Sequence, residues 1–224
     1  MSLYDAADLL ARTKRLAEQN VPTEYPRDAD WYAWLTEAQD HWTKILCQHV
    51  PRLLCGAPEQ LTTADNGATY TFATVPLAVE ELTIGLGGTT LRLGPNYDPT
   101  IDATWEGDDT LRIARNQSRT FSQGLWARYV AQPGVIDDGN EPSLPVQVRS
   151  LLPARACVLY ARSGGTRNPA PYLDEEARLW SGDPSIYGDT GILGMVKKKH
   201  WTQGASGVAS PWWRMTGDLG KVGY

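Results

Sequence analysis

The side chains best suited to holding a metal are His41, Cys47 and His49, which fall on or near one helical segment. His41 and His49 are eight residues apart in the sequence. That spacing is about 12 Å along a straight helix at 1.5 Å per residue. Zinc bonds are only about 2.0–2.3 Å long, so this pair does not share an ion. Cys47 and Cys55 flank Pro51, Cys157 is remote, and none forms a Cys-x-x-Cys pair. The three cysteines read as small buried apolar residues. For nucleophilic catalysis there is no Gly-x-Ser-x-Gly turn, and Ser163-Gly164-Gly165 reads as the end of a helix. Gly85-Leu86-Gly87-Gly88 lacks the third glycine of a dinucleotide fingerprint and sits between strand-like runs. No Gly-Lys-Ser or Gly-Lys-Thr occurs. The adjacent acids Glu80-Glu81, Asp108-Asp109, Asp137-Asp138 and Glu175-Glu176 point apart on a strand or a helix, so none is a ready acid/base pair. Asp137 to Glu141 lacks the alternating ligands of a calcium loop and reads as a solvated linker. The run Lys197, Lys198, Lys199 either complements a helix C-terminus or meets an acidic partner surface. The expectation is a protein without cofactor or metal, and not an enzyme.

The whole composition agrees with interface work rather than chemistry. The chain has 224 residues, 42% hydrophobic and 21% charged, ordinary values for a globular protein. Its net charge is −5, whereas a protein built to grip phosphates is usually basic. Three cysteines make no disulfide framework. No run approaches the roughly 18–20 apolar residues of a membrane span. Met1-Ser2-Leu3-Tyr4-Asp5 carries an early acid and no apolar stretch of a secretory signal. The aromatic set is unusual: 9 Trp and 10 Tyr against 2 Phe. Trp and Tyr join a large apolar body to a polar tip and are favoured at interfaces.

Periodicity places these residues on elements. Leu3, Ala6, Leu10 and Ala17 recur near helical spacing, with Ser2 as N-cap. Asn20, Pro22 and Pro26 end that helix. Asp28 caps a stronger one, on which Trp31, Trp34, Leu35, Ala38, Trp42, Ile45 and Leu46 form one wide apolar face, core or interface. Pro51 and Gly56 stop it. The period then changes to two. Asn66-Gly67 turns a hairpin within Glu59 to Phe72, and Gly87-Gly88 turns a second between Leu82, Ile84 and Leu91, Leu93. Leu111 to Ala114 and Leu125 to Ala131 read as further strands, and 94–110 as a loop. Ser143 caps a helix with Pro145 just inside, and Pro153 kinks it. Tyr172 to Trp180 is a short helix ended by Gly182. His200 to Tyr224 has neither period, five glycines, and Trp201, Trp212, Trp213 and Tyr224. Such a segment docks on a partner or folds back on its own domain.

The expected fold is therefore α+β. A helical bundle is built from N- and C-terminal segments (1–56 and 137–199). A small antiparallel β domain is inserted (57–136), and an extended C-terminal arm follows (200–224).

This order resembles the bacteriophage head-to-tail connector (adaptor) proteins that bind beneath the portal. The segments that carry the resemblance are Trp42-Thr43-Lys44-Ile45-Leu46 through Pro51, the hairpin entry Leu61 to Phe72, and Gly188-Asp189-Thr190-Gly191-Ile192-Leu193-Gly194 with the basic run and Gly-rich tail behind it. The resemblance implies a homo-oligomeric ring of about twelve copies between portal and tail, closed by heterologous contacts. It implies a place at the head–tail neck of a virion and synthesis in the host cytoplasm. The arm, with Trp201, Trp212, Trp213, Arg214 and Tyr224, would dock on the portal protein, and Trp31, Trp34 and Tyr160 would anchor the ring. Each such Trp is worth on the order of 2 kcal/mol when buried in a hot spot. Tail or neck proteins would take the opposite face. Genome DNA would pass through the lumen without specific binding, and no membrane is involved. Two other classes stand beside this one. The first is another tail structural protein or a carbohydrate-binding virion module, for which only Trp105 and Trp126 lie in the β part. The second is a virion-associated hydrolase.

Overall fold

A computed structural model describes residues 4–18, 26–64, 69–94, 102–114, 121–163, 168–182 and 191–194. The fold is mixed α+β with two small antiparallel sheets.

Helix α1 spans Ala6–Leu16. Its cap is Asp5 rather than Ser2: the Asp5 carboxylate accepts the Asp8 backbone N–H at 2.8 Å. The buried stripe is Ala6, Leu9 and Thr13, so the expected Leu10 lies at the edge of the core. Helix α2 spans Asp28–His49, and Asp28 is its first helical residue, not its cap. Asp30 reaches back to accept the Arg27 backbone N–H at 2.8 Å. Trp31, Leu35, Ala38, Trp42 and Leu46 form the expected buried stripe. Pro51 opens a short helix α3, Pro51–Leu54, where its missing N–H costs nothing.

Among the described residues eight strands follow: β1 Glu59–Gln60, β2 Thr62–Ala64, β3 Thr69–Thr71, β4 Pro76–Ile84, β5 Thr89–Thr90, β6 Ala103–Trp105, β7 Thr110–Ile113 and β8 Leu125–Ala131. One sheet has the order β1-β8-β4-β5 and the other β2-β3-β7-β6. Strands β2 and β3 pair as the first expected hairpin, Ala64 opposite Thr69; the Asn66-Gly67 turn itself lies outside the described residues. In the second hairpin Ile84 pairs with Thr89 across four residues, not across Gly87-Gly88 alone. Gly85 (φ 73°) and Gly87 (φ 70°) supply the left-handed conformations that this turn requires. The stretch expected to be loop contains β6, which pairs with β7, Trp105 opposite Leu111. Three residues among Gly, Pro and Asp are too few for a period to register, but buried Ala103 and the stacking of Trp105 on Phe72 (5.7 Å, 26°) hold them in the sheet. Leu61, Tyr70, Leu82, Leu111, Leu125 and Ala127 close the β core.

Helix α4 spans Leu151–Ser163 and α5 Ala170–Ser181. The chain before α4 makes only tight i to i+3 turns from Pro145 to Leu152. Pro153 is therefore the third helical residue and not a mid-helix kink, because its absent N–H falls where a helix has no partner to offer. Ser143 caps nothing; its N–H donates to the Gln39 side chain at 2.7 Å.

Helices from both sides of the strands share one core, in which Ala6, Leu9, Leu35, Leu46, Leu144, Leu151 and Ile192 are buried together. Polar groups tie the returning chain to α2. Gln39, fully buried, donates to Gly134 O (2.8 Å) as it accepts from Ser143, and Thr36 Oγ1 accepts from Ile136 N (3.0 Å). Buried Arg149 donates to the carbonyls of Leu144 (2.7 Å) and Pro142 (2.8 Å).

Candidate functional site

Trp31, Trp34 and Tyr160 come together where α2 meets α4. Trp31 lies 4.9 Å from Trp34 and 4.8 Å from Tyr160, and Trp34 lies 5.2 Å from Tyr160, ring centre to ring centre. Trp31 is 0% exposed and packs with Ala17 and Cys157, so it offers no surface to a second chain. Within this chain it braces Trp34 and Tyr160. Those two are only partly buried. The arm residues Trp201, Trp212, Trp213, Arg214 and Tyr224, and the run Lys197 to Lys199, lie outside the described residues.

A second cluster fills the space between α2, α4 and α5. The Trp42 and Trp180 rings are 4.9 Å apart. Arg155 from α4 lies between His41 and Glu176: its Nη1 is 3.5 Å from Glu176 Oε2, and its Nη2 is 3.4 Å from His41 Nδ1. Trp42 Nε1 and Glu176 Oε1 are buried and make no hydrogen bond among the described residues. The indole still lies near enough to favour the ionised carboxylate. Burial raises the Glu176 pKa above the usual carboxylate range, and Arg155 opposes that rise without cancelling it. Burial, reinforced by Arg155 and Lys44, lowers His41 to about 4, so the ring is neutral at pH 7. His41 thus serves packing against Trp42 (5.6 Å, edge-on), and His49 packs near Trp180 at 6.4 Å. The neighbouring acids do point apart: Glu175 holds exposed Arg178 in two bonds of 2.9 Å while Glu176 faces inward. Glu80 likewise turns to Arg52.

Among the described residues no group of three His, Cys, Asp or Glu side chains is placed to hold a metal. Burial pushes the Cys55 thiol up to about 12 and raises Cys47, which keeps both as thiols at pH 7. Asp137 closes its own turn by accepting from Gly139 N (2.8 Å) and Asn140 Nδ2 (2.8 Å), which lowers its pKa. The two tryptophans of the β part sit on different sheets, Trp105 on β6 and Trp126 on β8. Leu86, 66% exposed, caps the tip of the β4–β5 hairpin.

Sequence reasoning missed the polar members of these clusters. Gln39, Thr43 and Glu176 are polar residues standing on buried helical stripes. That mismatch is the available signal, because a buried polar group needs a partner. No described helix is long and apolar enough to cross a membrane. No family model matches this chain, and no curated protein matches it.

Proposed function

We propose that this chain is a head-to-tail connector: a structural protein that forms a ring between portal and tail and leaves a conduit for DNA. The observation that supports the reading most is the common core of helices drawn from both sides of an inserted pair of sheets. In this reading the helices are the bundle that builds the ring, the sheets project from it, and residues 200–224 are the arm that reaches the portal. In this reading Trp34 and Tyr160, both partly buried, would contact the next subunit, braced by Trp31. A ring contact of this heterologous kind repeats identically around a closed circle. A dozen arms bound to one portal ring would hold far more tightly than one arm.

Deleting residues 200–224 tests the role of the arm. The shortened chain should still fold, since two cores form among the described residues alone. Its co-sedimentation with portal rings should disappear. A shortened chain that still binds portal would remove the arm from the reading.

A further inference from the structure

Strand β8 is paired along the whole of one side but only part of the other. Along an antiparallel strand, successive main-chain groups point alternately to the two neighbours. Toward β4, pairing runs from Leu125 to Ala131, and just beyond it Gln132 N–H donates to Val75 O at 3.2 Å. Toward β1, Leu125 O accepts Leu61 N–H at 2.8 Å, and Ala127 lies opposite Glu59. The odd-numbered residues of β8 therefore turn their main chain toward β1. Strand β1 begins only at Glu59, so the next two on that side, Tyr129 and Ala131, have no strand beside them. Their N–H and C=O groups have no hydrogen-bond partner among the described residues. The two positions are about 7 Å apart, the repeat of a strand edge.

This open edge borders a cleft of about 490 Å³, whose walls include Leu54, Glu59, Tyr129, Ala131, Pro133 and Leu144. Two N–H donors and two C=O acceptors at strand spacing, beside apolar walls, match the main chain of an extended peptide, which binds by adding a strand. An edge left unpaired is a template for such pairing. The charge of the cleft selects the peptide. Glu59 is the one carboxylate on its walls, and no Lys, Arg or His stands there. Glu59 accepts the Tyr129 hydroxyl at 2.8 Å and belongs to none of the ion pairs among the described residues. The whole chain carries −5. Both charges favour a basic side chain on the incoming strand, with its apolar stem along the wall and its head at the carboxylate.

We propose that this cleft is a docking site for an extended peptide of a partner protein, which pairs with Tyr129 and Ala131 as a strand in line with β1 and sets a Lys or Arg against Glu59. The site does not depend on the connector reading, and it is tested without portal.

Capped peptides of sequence Thr-Val-x-Val-Thr, with x as Lys, Arg, Gln or Glu, are titrated into the isotope-labelled full chain and followed by amide NMR. With Lys or Arg at x, the Tyr129 and Ala131 amide signals should shift and their hydrogen exchange should slow. Gln at x should weaken binding about threefold, the size of an exposed ion pair, and Glu at x about tenfold. Glu59→Gln should erase the difference between the Lys and Gln peptides. The Lys peptide N-methylated at every residue should not bind, because it has no main-chain N–H to give. The proposal would be overturned if millimolar Lys peptide left the two amides unmoved, if the Lys and Glu peptides bound equally, or if the N-methylated peptide bound as well as its parent. Slow exchange of both amides in the peptide-free protein would overturn it too, because the edge would then already be filled. Protection that grew with concentration would name a second copy as the occupant, and constant protection the same chain.

Discussion

Arg155→Met should destabilise the protein by about 3–5 kcal/mol at pH 7, the usual cost of removing one partner from a buried ion pair. Arg155 and Glu176 side chains are 17% and 9% exposed, and without the guanidinium the carboxylate would keep its desolvation with little to offset it. Glu176 already has a folded pKa above its unfolded value. A group of that kind adds stability below its unfolded pKa and loses it as pH rises through the folded one. Removing Arg155 raises that folded pKa further, so the variant is penalised most when the carboxylate must be charged. The gap between variant and parent should therefore narrow from pH 7 toward pH 5. His41 works in the same direction. Its depressed pKa costs the parent stability as pH falls from about 6.5 toward about 4, and part of that depression comes from Arg155. Adding Glu176→Gln to Arg155→Met should recover most of the loss at pH 7. Urea melts of the parent and both variants at two pH values give the comparison. A single variant as stable as the parent at pH 7, or a gap that widens in acid, would contradict the burial of this pair.

Trp31→Ala should cost a similar 3–5 kcal/mol, in the range for truncating a buried aromatic residue. The ring is fully buried at the point where α1, α2 and α4 meet, and both of its aromatic neighbours pack on it within 5 Å. Against the 5–15 kcal/mol that holds most domains folded, such a loss is a large share. Chemical unfolding should show a lower midpoint with an unchanged slope, since the same surface is exposed on unfolding. Trp34→Ala should cost visibly less, because Trp34 is only partly buried. Equal losses at the two positions would mean that Trp31 is not the brace described above.

The contrast between these two tryptophans shows how far the sequence could be read. Spacing alone put Trp31 and Trp34 on one face of α2, and that face is buried as a periodic stripe should be. Three residues of spacing rotate a helix by only about 60° from a full turn, so periodicity does not separate the centre of a stripe from its edge. Strands β2 and β3 are legible because Asn66-Gly67 sits inside the longer alternating run from Glu59 to Phe72, and β8 because it has seven residues of its own, whereas the three residues of β6 stand alone among Gly, Pro and Asp. The start of α4 was placed too early because Ser143 and Pro145 form a convincing cap on paper. In the fold the Ser143 N–H is claimed by Gln39, 104 residues away. The buried polar groups share that cause. Gln39 with Gly134, and Arg155 with Glu176, meet only across the fold.

The most direct test of the connector reading is the mass of the complex formed with purified portal rings of the virus that, on this reading, encodes this chain, measured by native mass spectrometry. A connector should appear as the portal ring plus about twelve added chains, in the stoichiometry of a closed ring. Portal rings of unchanged mass beside free monomer would contradict the reading.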